Sequence, residues 1–281
     1  MSAWIETVRG SVAPWECDVT EHFTIAFYFD RIEQAAANLA DALGAGELLQ
    51  KGALPRRFLV RFARELRAGA SFHIESAVLG TGPGGLRLGH RVADSGNGET
   101  VTWVEEQWGG AVPAPLAAAL APRLVAWPGP AAEARPEPGP GARYVATGHG
   151  RVRPGDLDEH RVFSLAAMVH RFTDACIQVQ AAIGIDAAFM QAERRGYSTF
   201  ELALTTAGAL QCGDAYRVET TIAHLGSSSL RLVHRLCAAA AGAEIARLGQ
   251  FGVNLDLDAR RPAPLPEAIR ARAKSLTAPS A

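Results

Sequence analysis

Asp18-Val19-Thr20-Glu21-His22 recurs as Asp156-Leu157-Asp158-Glu159-His160, an offset of 138 residues with Asp, Glu and His identical, and this recurrence decides how the chain is read. An apolar series at helical spacing follows each copy. In the first it is Ile25, Tyr28, Phe29, Ile32, Ala36, Leu39 and Leu43, ending at Gly44; in the second it is Leu165, Met168, Val169, Phe172, Cys176, Val179 and Ile183, ending at Gly184, every member shifted by 140. Steps of three and four residues put each series on one helix face, and glycine suits the left-handed residue that closes a helix. The copies then continue in step. Leu86–Val92 matches Leu230–Leu236 at 144, as Gly69 and Glu75 match Gly213 and Glu219, and Pro113-Ala114-Pro115-Leu116 matches Pro262-Ala263-Pro264-Leu265 at 149. Matches in one order, at offsets that only grow, predict a duplicated chain: a unit at 1–126, a Pro/Gly-rich semi-extended linker at 127–142, and a second unit at 143–281.

Each half reads as a short leading segment (Thr7–Glu16, Tyr144–Arg153), a long helix, then strands. Arg57–Phe62, Phe72–Leu79, Leu86–Val92 and Val101–Gln107 alternate or run apolar over strand lengths, and Ser198–Thr205, Tyr216–Ala223, Leu230–Cys237 and Glu244–Asn254 repeat the pattern. Gly80 to Gly85 and Ser95-Gly96-Asn97-Gly98 are hairpin signals, so the sheet is antiparallel. A helix apolar over most of its surface must be covered by that sheet. The expectation is an α+β layout, one buried helix wrapped by a curved sheet, built twice.

Composition narrows the chemistry. With 28 Lys+Arg against 29 Asp+Glu and a net charge of -1, the chain carries no broad electrostatic footprint for nucleic acid or anionic membrane. It lacks an apolar run long enough for a membrane helix and opens Met1-Ser2-Ala3-Trp4-Ile5-Glu6 without a leader pattern, so the expected compartment is the cytoplasm. Cys17, Cys176, Cys212 and Cys237 lie far apart, which suggests neither a disulfide framework nor a metal site. Only Lys51 and Lys274 are lysines, so arginine abundance is not in itself a phosphate signal.

Asp18 with His22, and Asp156 with His160, fall where the leading segment meets the helix. Unpaired N–H groups at a helix start can hold a carbonyl oxygen that becomes an oxyanion, and a carboxylate beside them can attack an acyl carbon or take a proton from water. The competing reading is that both aspartates merely cap the helix. Glu21 and Glu159 read first as solvated first-turn acids, with substrate contact as the alternative. Tyr28 and Glu33 on the first helix are further candidates for substrate contact, but the same offset gives Met168 and Thr173, so any role they have makes the halves unequal. His90 and His234 read as structural. Arg56, Arg57, Arg61, Arg64 and Arg67, and Arg260 with Arg261, read as a solvated face, with Arg57 a candidate for a cofactor phosphate.

Trp15-Glu16-Cys17-Asp18-Val19-Thr20-Glu21-His22 followed by Tyr28, and Arg57 to Val92 with Glu65-Leu66-Arg67-Ala68-Gly69, resemble hotdog-fold acyl-CoA thioesterases of the 4-hydroxybenzoyl-CoA thioesterase type. The second copy, with Cys212-Gly213-Asp214 and Pro264-Leu265-Pro266, is similar, so the resemblance spans nearly everything but the linker. It implies two tandem hotdog units paired as an intramolecular pseudo-dimer, with sites at their interface, and it leaves room for a homodimer of such chains. It further implies an acyl-CoA substrate hydrolysed to free acid and CoA, with no metal and with CoA only as part of the substrate. The carboxylates would be Asp18 and Asp156, with His22 and His160 positioning. Family members commonly carry Gly before the His, where Glu21 and Glu159 stand here; the second copy also has two extra residues before its helix and no equivalent of Tyr28. Two alternatives stay open: an enoyl-thioester hydratase or dehydratase on the same fold, whose Asp and His usually lie five apart with Asn-Pro between, and a non-catalytic acyl-CoA-binding module.

Overall fold

The computed structural model describes residues 3–18, 20–46 and 56–277; Met1, Ser2, Val19 and Lys51, quoted above, lie outside the described residues. In the first unit, β1 (Ile5–Ser11) leads through a 3-10 turn (Pro14–Glu16) to α1 (Ile25–Leu43), then β2 (Arg56–Phe62), β3 (Ser71–Gly82), β4 (Gly85–Asp94), β5 (Thr100–Trp108) and a short α2 (Ala114–Leu120). The second repeats this with β6 (Val145–Arg151), a 3-10 turn (Pro154–Asp156), α3 (Leu165–Ile183), β7 (Arg195–Thr206), β8 (Ala215–Leu225), β9 (Ser229–Ala238) and β10 (Glu244–Asp256). Its additions, unforeseen in the periodicity, are α4 (Ala187–Glu193), the two-residue β11 (Arg261–Pro262) and α5 (Glu267–Thr277).

All strands join one antiparallel sheet in the order β1-β3-β4-β5-β2-β7-β10-β9-β8-β6, with β11 on β10. The halves meet where β2 pairs β7, from Arg57 opposite Thr205 to Arg61 opposite Glu201. Strand alternation sends Phe58, Val60, Leu202 and Leu204 inward, none more than 3% exposed. They meet α1 and α3, which bury Phe29, Ile32, Phe172 and Ala175 at the interface-spanning core. Each helix closes on the glycine its spacing implied, Gly44 at φ 67° and Gly184 at φ 97°. This is the two-unit hotdog arrangement, each long helix wrapped by its curved sheet.

The register of the repeat differs from the letter match at the acidic loop. The offset is already 140 there, as in β1/β6 and α1/α3. The β-bridge Cys17–Phe23 corresponds to Leu157–Phe163, and the bond from Asp18 N–H to the His22 carbonyl corresponds to that from Asp158 to Val162. Glu21 and Arg161, both left-handed at φ 64° and 62°, occupy the same turn position. Asp18 therefore corresponds to Asp158, and His22 to Val162. Asp156 corresponds to Glu16, since each carboxylate accepts a backbone N–H three residues back and pairs with an arginine on its helix. The two extra residues expected before the second helix do not exist, and Glu159 does not hold the place of Glu21. Both copies carry acids at several loop positions, so identical letters aligned out of register.

Candidate active site

The loop ahead of α1 is locked by Asp18. One of its oxygens, Oδ1, accepts from Thr20 N–H (2.8 Å), the Thr20 hydroxyl (2.6 Å) and His22 N–H (3.2 Å). No donor from a described residue reaches Oδ2, which stays available on an exposed carboxylate. The Thr20 hydroxyl, donating to Asp18, can only accept from His22 Nδ1 at 2.9 Å, which assigns the ring proton to Nδ1. His22 Nε2 faces both the Glu65 carboxylate (3.1 Å) and the Arg260 guanidinium (3.4 Å), and Glu65 and Arg260 are themselves an ion pair. Burial lowers the His22 pKa below the ordinary imidazole value, against the raising effect of Asp18 and with Arg260 and Arg67 adding to the depression. His22 is thus held between Thr20, which links it to Asp18, and the Glu65–Arg260 pair. Arg260 comes from the second unit, so the cluster spans the interface.

Behind the loop, the N-cap Thr24 makes no side-chain cap. Phe27 N–H bonds the Thr24 carbonyl, while Ile25 and Ala26 N–H find no protein acceptor among the described residues. These donors carry the positive end of the helix. Ile25 at this helix start abuts a cavity of about 170 Å³ running from Asp18, Thr20 and His22 past Phe23, Tyr28 and Phe62 into the second unit. There it is bounded by Thr173, Cys176, Ile177 and Gln180 of α3, Met190 of α4, and Tyr197, Thr199 and Gln250 of the sheet. Burial pushes the Tyr28 hydroxyl up to about 12 and the Cys176 thiol to about 12, so both stay protonated. Cys176 is not a nucleophile here.

The other candidates lie elsewhere. Glu21 is exposed, 3.9 Å from Arg67. Asp156 takes Arg153 N–H (2.8 Å) and Arg171 (2.9 Å), a cap with an ion pair, and His160 is a surface ring 3.8 Å from Glu159. Asp156 and His160 are therefore not brought together as Asp18 and His22 are. Arg57 stands on the outer face of the sheet, and Glu33 lies not in the cavity but against the start of α3. His90 and His234 are buried in the sheet, bonded to Ser76 and Thr220. Glu65, Arg260 and the cavity wall from the second unit were missed as site residues. Glu65 was inside the quoted Glu65-Leu66-Arg67 stretch and Arg260 in the noted arginine pair, but only the fold brings them to His22. Among the described residues no group of three His, Cys, Asp or Glu side chains could hold a metal ion, and no helix is long and apolar enough to cross a membrane.

Residues 152–273 match the family model of the thioesterase-like superfamily. No curated protein matches the chain by sequence. Among solved structures the chain is similar to the 12:0-ACP thioesterase from Umbellularia californica, at TM-score 0.64 and 15% identity, over 90% of this chain and 94% of that one. It is likewise similar to an acyl-ACP thioesterase from Bacteroides thetaiotaomicron, at TM-score 0.66 and 10% identity, over 90% of this chain and all (100%) of that one. Those likenesses cover both units and establish the shared fold. The chain is a tandem hotdog protein whose second unit carries the thioesterase-like superfamily match.

Proposed function

We propose that the chain is an acyl thioesterase that hydrolyses an acyl-CoA thioester to the free acid and CoA, assisted by a carboxylate and independent of metal. The observation that carries this reading is one juxtaposition: the α1 start, with Ile25 and Ala26 N–H unpartnered among the described residues and Ile25 in the wall, and the free oxygen of Asp18 beside one apolar cavity. The acyl group enters the cavity and its carbonyl oxygen faces the start of α1. Asp18 supplies the base: water gives its proton to Oδ2 as its oxygen bonds the acyl carbon. The negative charge gathers on the carbonyl oxygen, where helix-start donors stabilise it. Collapse breaks the C–S bond, and the leaving thiolate takes the proton back from Asp18 to give CoA and the acid and to restore the carboxylate. His22, through Thr20, holds the Asp18 rotamer. Direct attack by Asp18 would pass through an anhydride, and one turnover in ¹⁸O water separates the routes by label in Asp18.

Size restricts the acyl group. A cavity near 150 Å³ accepts a benzene ring, so the roughly 170 Å³ here matches a short or single-ring acyl group, and a twelve-carbon chain such as the one named for the Umbellularia californica enzyme would have to extend beyond it. The test is free-thiol release over a panel of acyl-CoA and acyl-ACP substrates. Asp18→Asn should lower kcat by about 10²-fold or more, the usual weight of a positioned base, and a chelator should leave the rate unchanged. No release from any substrate, or full activity in Asp18→Asn, defeats the reading.

A further inference from the structure

A pseudo-twofold relates the two units, and the mate of the cavity above is a more polar groove of about 640 Å³ between the second unit's loop and α1, with Glu33, Asp158 and Ala166 in its wall and no residue of β2 or β5. The residues there are different. Where unit two offers Thr173 to the cavity, unit one has Glu33, and that side chain reaches across the interface. Its carboxylate accepts from Leu165 N–H (3.2 Å) and Ala166 N–H (3.3 Å), the first two residues of α3. At the start of α1 no carboxylate of a described residue takes the corresponding N–H groups of Ile25 and Ala26, and Ile25 lines the cavity.

The fill continues inward. The Arg56 guanidinium is 3.9 Å from Glu33, ion-paired to the fully buried Glu106, and stacked 5.0 Å from the Phe58 ring centre and 5.9 Å from that of Trp108. The Trp108 indole donates to Glu106 and is 1% exposed. Strand register shows what unit two places there. Glu106 lies opposite Leu88 and Trp108 opposite Leu86, just as Gln250 lies opposite Leu232 and Gly252 opposite Leu230. The indole is thus exchanged for a glycine, beside which the Tyr197 ring packs. Thr199, opposite Gly252 as Arg56 is opposite Trp108, takes the place of Arg56 and accepts from Gln250 Nε2 (2.7 Å), while Phe200 is the extra residue of a bulge and is turned out to solvent. Gln250 and Thr199 line the cavity on one side, where Glu106 and Arg56 pack as an ion pair against Trp108 on the other.

We infer that Glu33 closes the inner end of the second half-site, leaving the polar groove outside it, because its carboxylate takes the two α3 N–H groups that an acyl oxygen would need, so that one acyl thioester binds per chain. This rests on the thioesterase reading for its ligand, while the closure itself is a property of the unliganded chain. Glu33 is here a plug, outside the cavity that holds the reacting group.

Three measurements on the full chain test it. Titration calorimetry with a non-hydrolysable hexanoyl-CoA thioether should give one ligand per chain, and two would overturn the inference. Glu33→Thr, which installs the residue unit two carries at this place, and Glu33→Gln should keep kcat/KM within about threefold, judged on protein whose circular dichroism matches the parent. A loss above tenfold in folded Glu33→Gln would place Glu33 in the chemistry and overturn it. Without ligand, amide hydrogen exchange at Leu165 and Ala166 should be at least tenfold faster in Glu33→Thr than in the parent; equal rates overturn it. If the parent neither binds the thioether nor releases thiol, the thioesterase reading fails, and the exchange comparison still decides the closure.

Discussion

Glu21 holds a backbone conformation that side chains other than glycine adopt at a cost. At φ 64° its Cβ crowds the following carbonyl, a penalty of roughly 1–2 kcal/mol. Its carboxylate recovers little, being 83% exposed and 3.9 Å from Arg67. Glu21→Gly should therefore raise stability by about 0.5–1 kcal/mol, the relief outweighing the extra freedom glycine gives the unfolded chain. A lower urea midpoint for this variant would contradict the strain argument. Asp156 makes the complementary case. As cap and ion-pair partner, Asp156→Ala should lower stability by about 1–2 kcal/mol and leave thiol release within threefold. Equal losses of activity in Asp156→Ala and Asp18→Asn would show two working carboxylates. At this scale the sequence made Asp18 legible and misplaced its partner. A carboxylate that caps and one that faces a cavity are written with the same letter, and only the left-handed turn at Glu21 and Arg161 distinguishes their places.

Between elements, the two helix starts differ more than their sequences suggest. Ser164 caps α3 from its side chain and Glu33 adds a carboxylate from α1, whereas Thr24 leaves α1 with neither. Helices, hairpins and the wrap of the sheet were readable because apolar period and turn glycines are local signals. The closed half-site was not, because Glu33, Arg56, Glu106 and Trp108 converge only through the α1–α3 contact and the β2–β5 register. The closure leaves a titration signature. Burial raises the Glu33 pKa from 4.5 to about 7, outweighing the lowering by Arg56 and the α3 N–H groups. Below pH 4.5 the group is protonated in folded and unfolded chains alike. Between 4.5 and 7 the unfolded chain ionises first, so stability falls as pH rises across that window and stays lower above it. Between pH 5 and pH 8 the fall is on the order of 2–3 kcal/mol. Urea unfolding at pH 5 and pH 8 should show it in the parent and not in Glu33→Gln; parallel losses in both would remove Glu33 as its source.

Across the whole molecule, duplication produced one body from two halves. The main core is shared: Phe29, Ile32 and Phe58 of the first unit cluster with Met168, Phe172 and Leu202 of the second, beside smaller clusters within each unit. The sheet is continuous through the β2–β7 pairing. The linker, expected as a semi-extended tether, runs as a strap across the outer face. Arg135 pairs with the buried Glu201 of β7 (3.1 Å) and stacks 4.2 Å from the Phe251 ring centre, while Glu137 pairs with the buried Arg231 of β9. Exposed ion pairs contribute little, but these set one partner inside the fold, where losing the other leaves a charge poorly solvated. Because the halves share core, sheet and strap, an unfolded half would expose the other's interior, and neither should melt first. Calorimetry should show a single endotherm with calorimetric and van't Hoff enthalpies in agreement. Arg135→Ala should move that whole transition down, by about 1–2 kcal/mol in stability, since Arg61 still reaches Glu201 at 3.0 Å. Two resolved endotherms, or a shift confined to one part of the transition, would mean that the units fold apart and that the interface cavity is held by weaker contacts than the shared core provides.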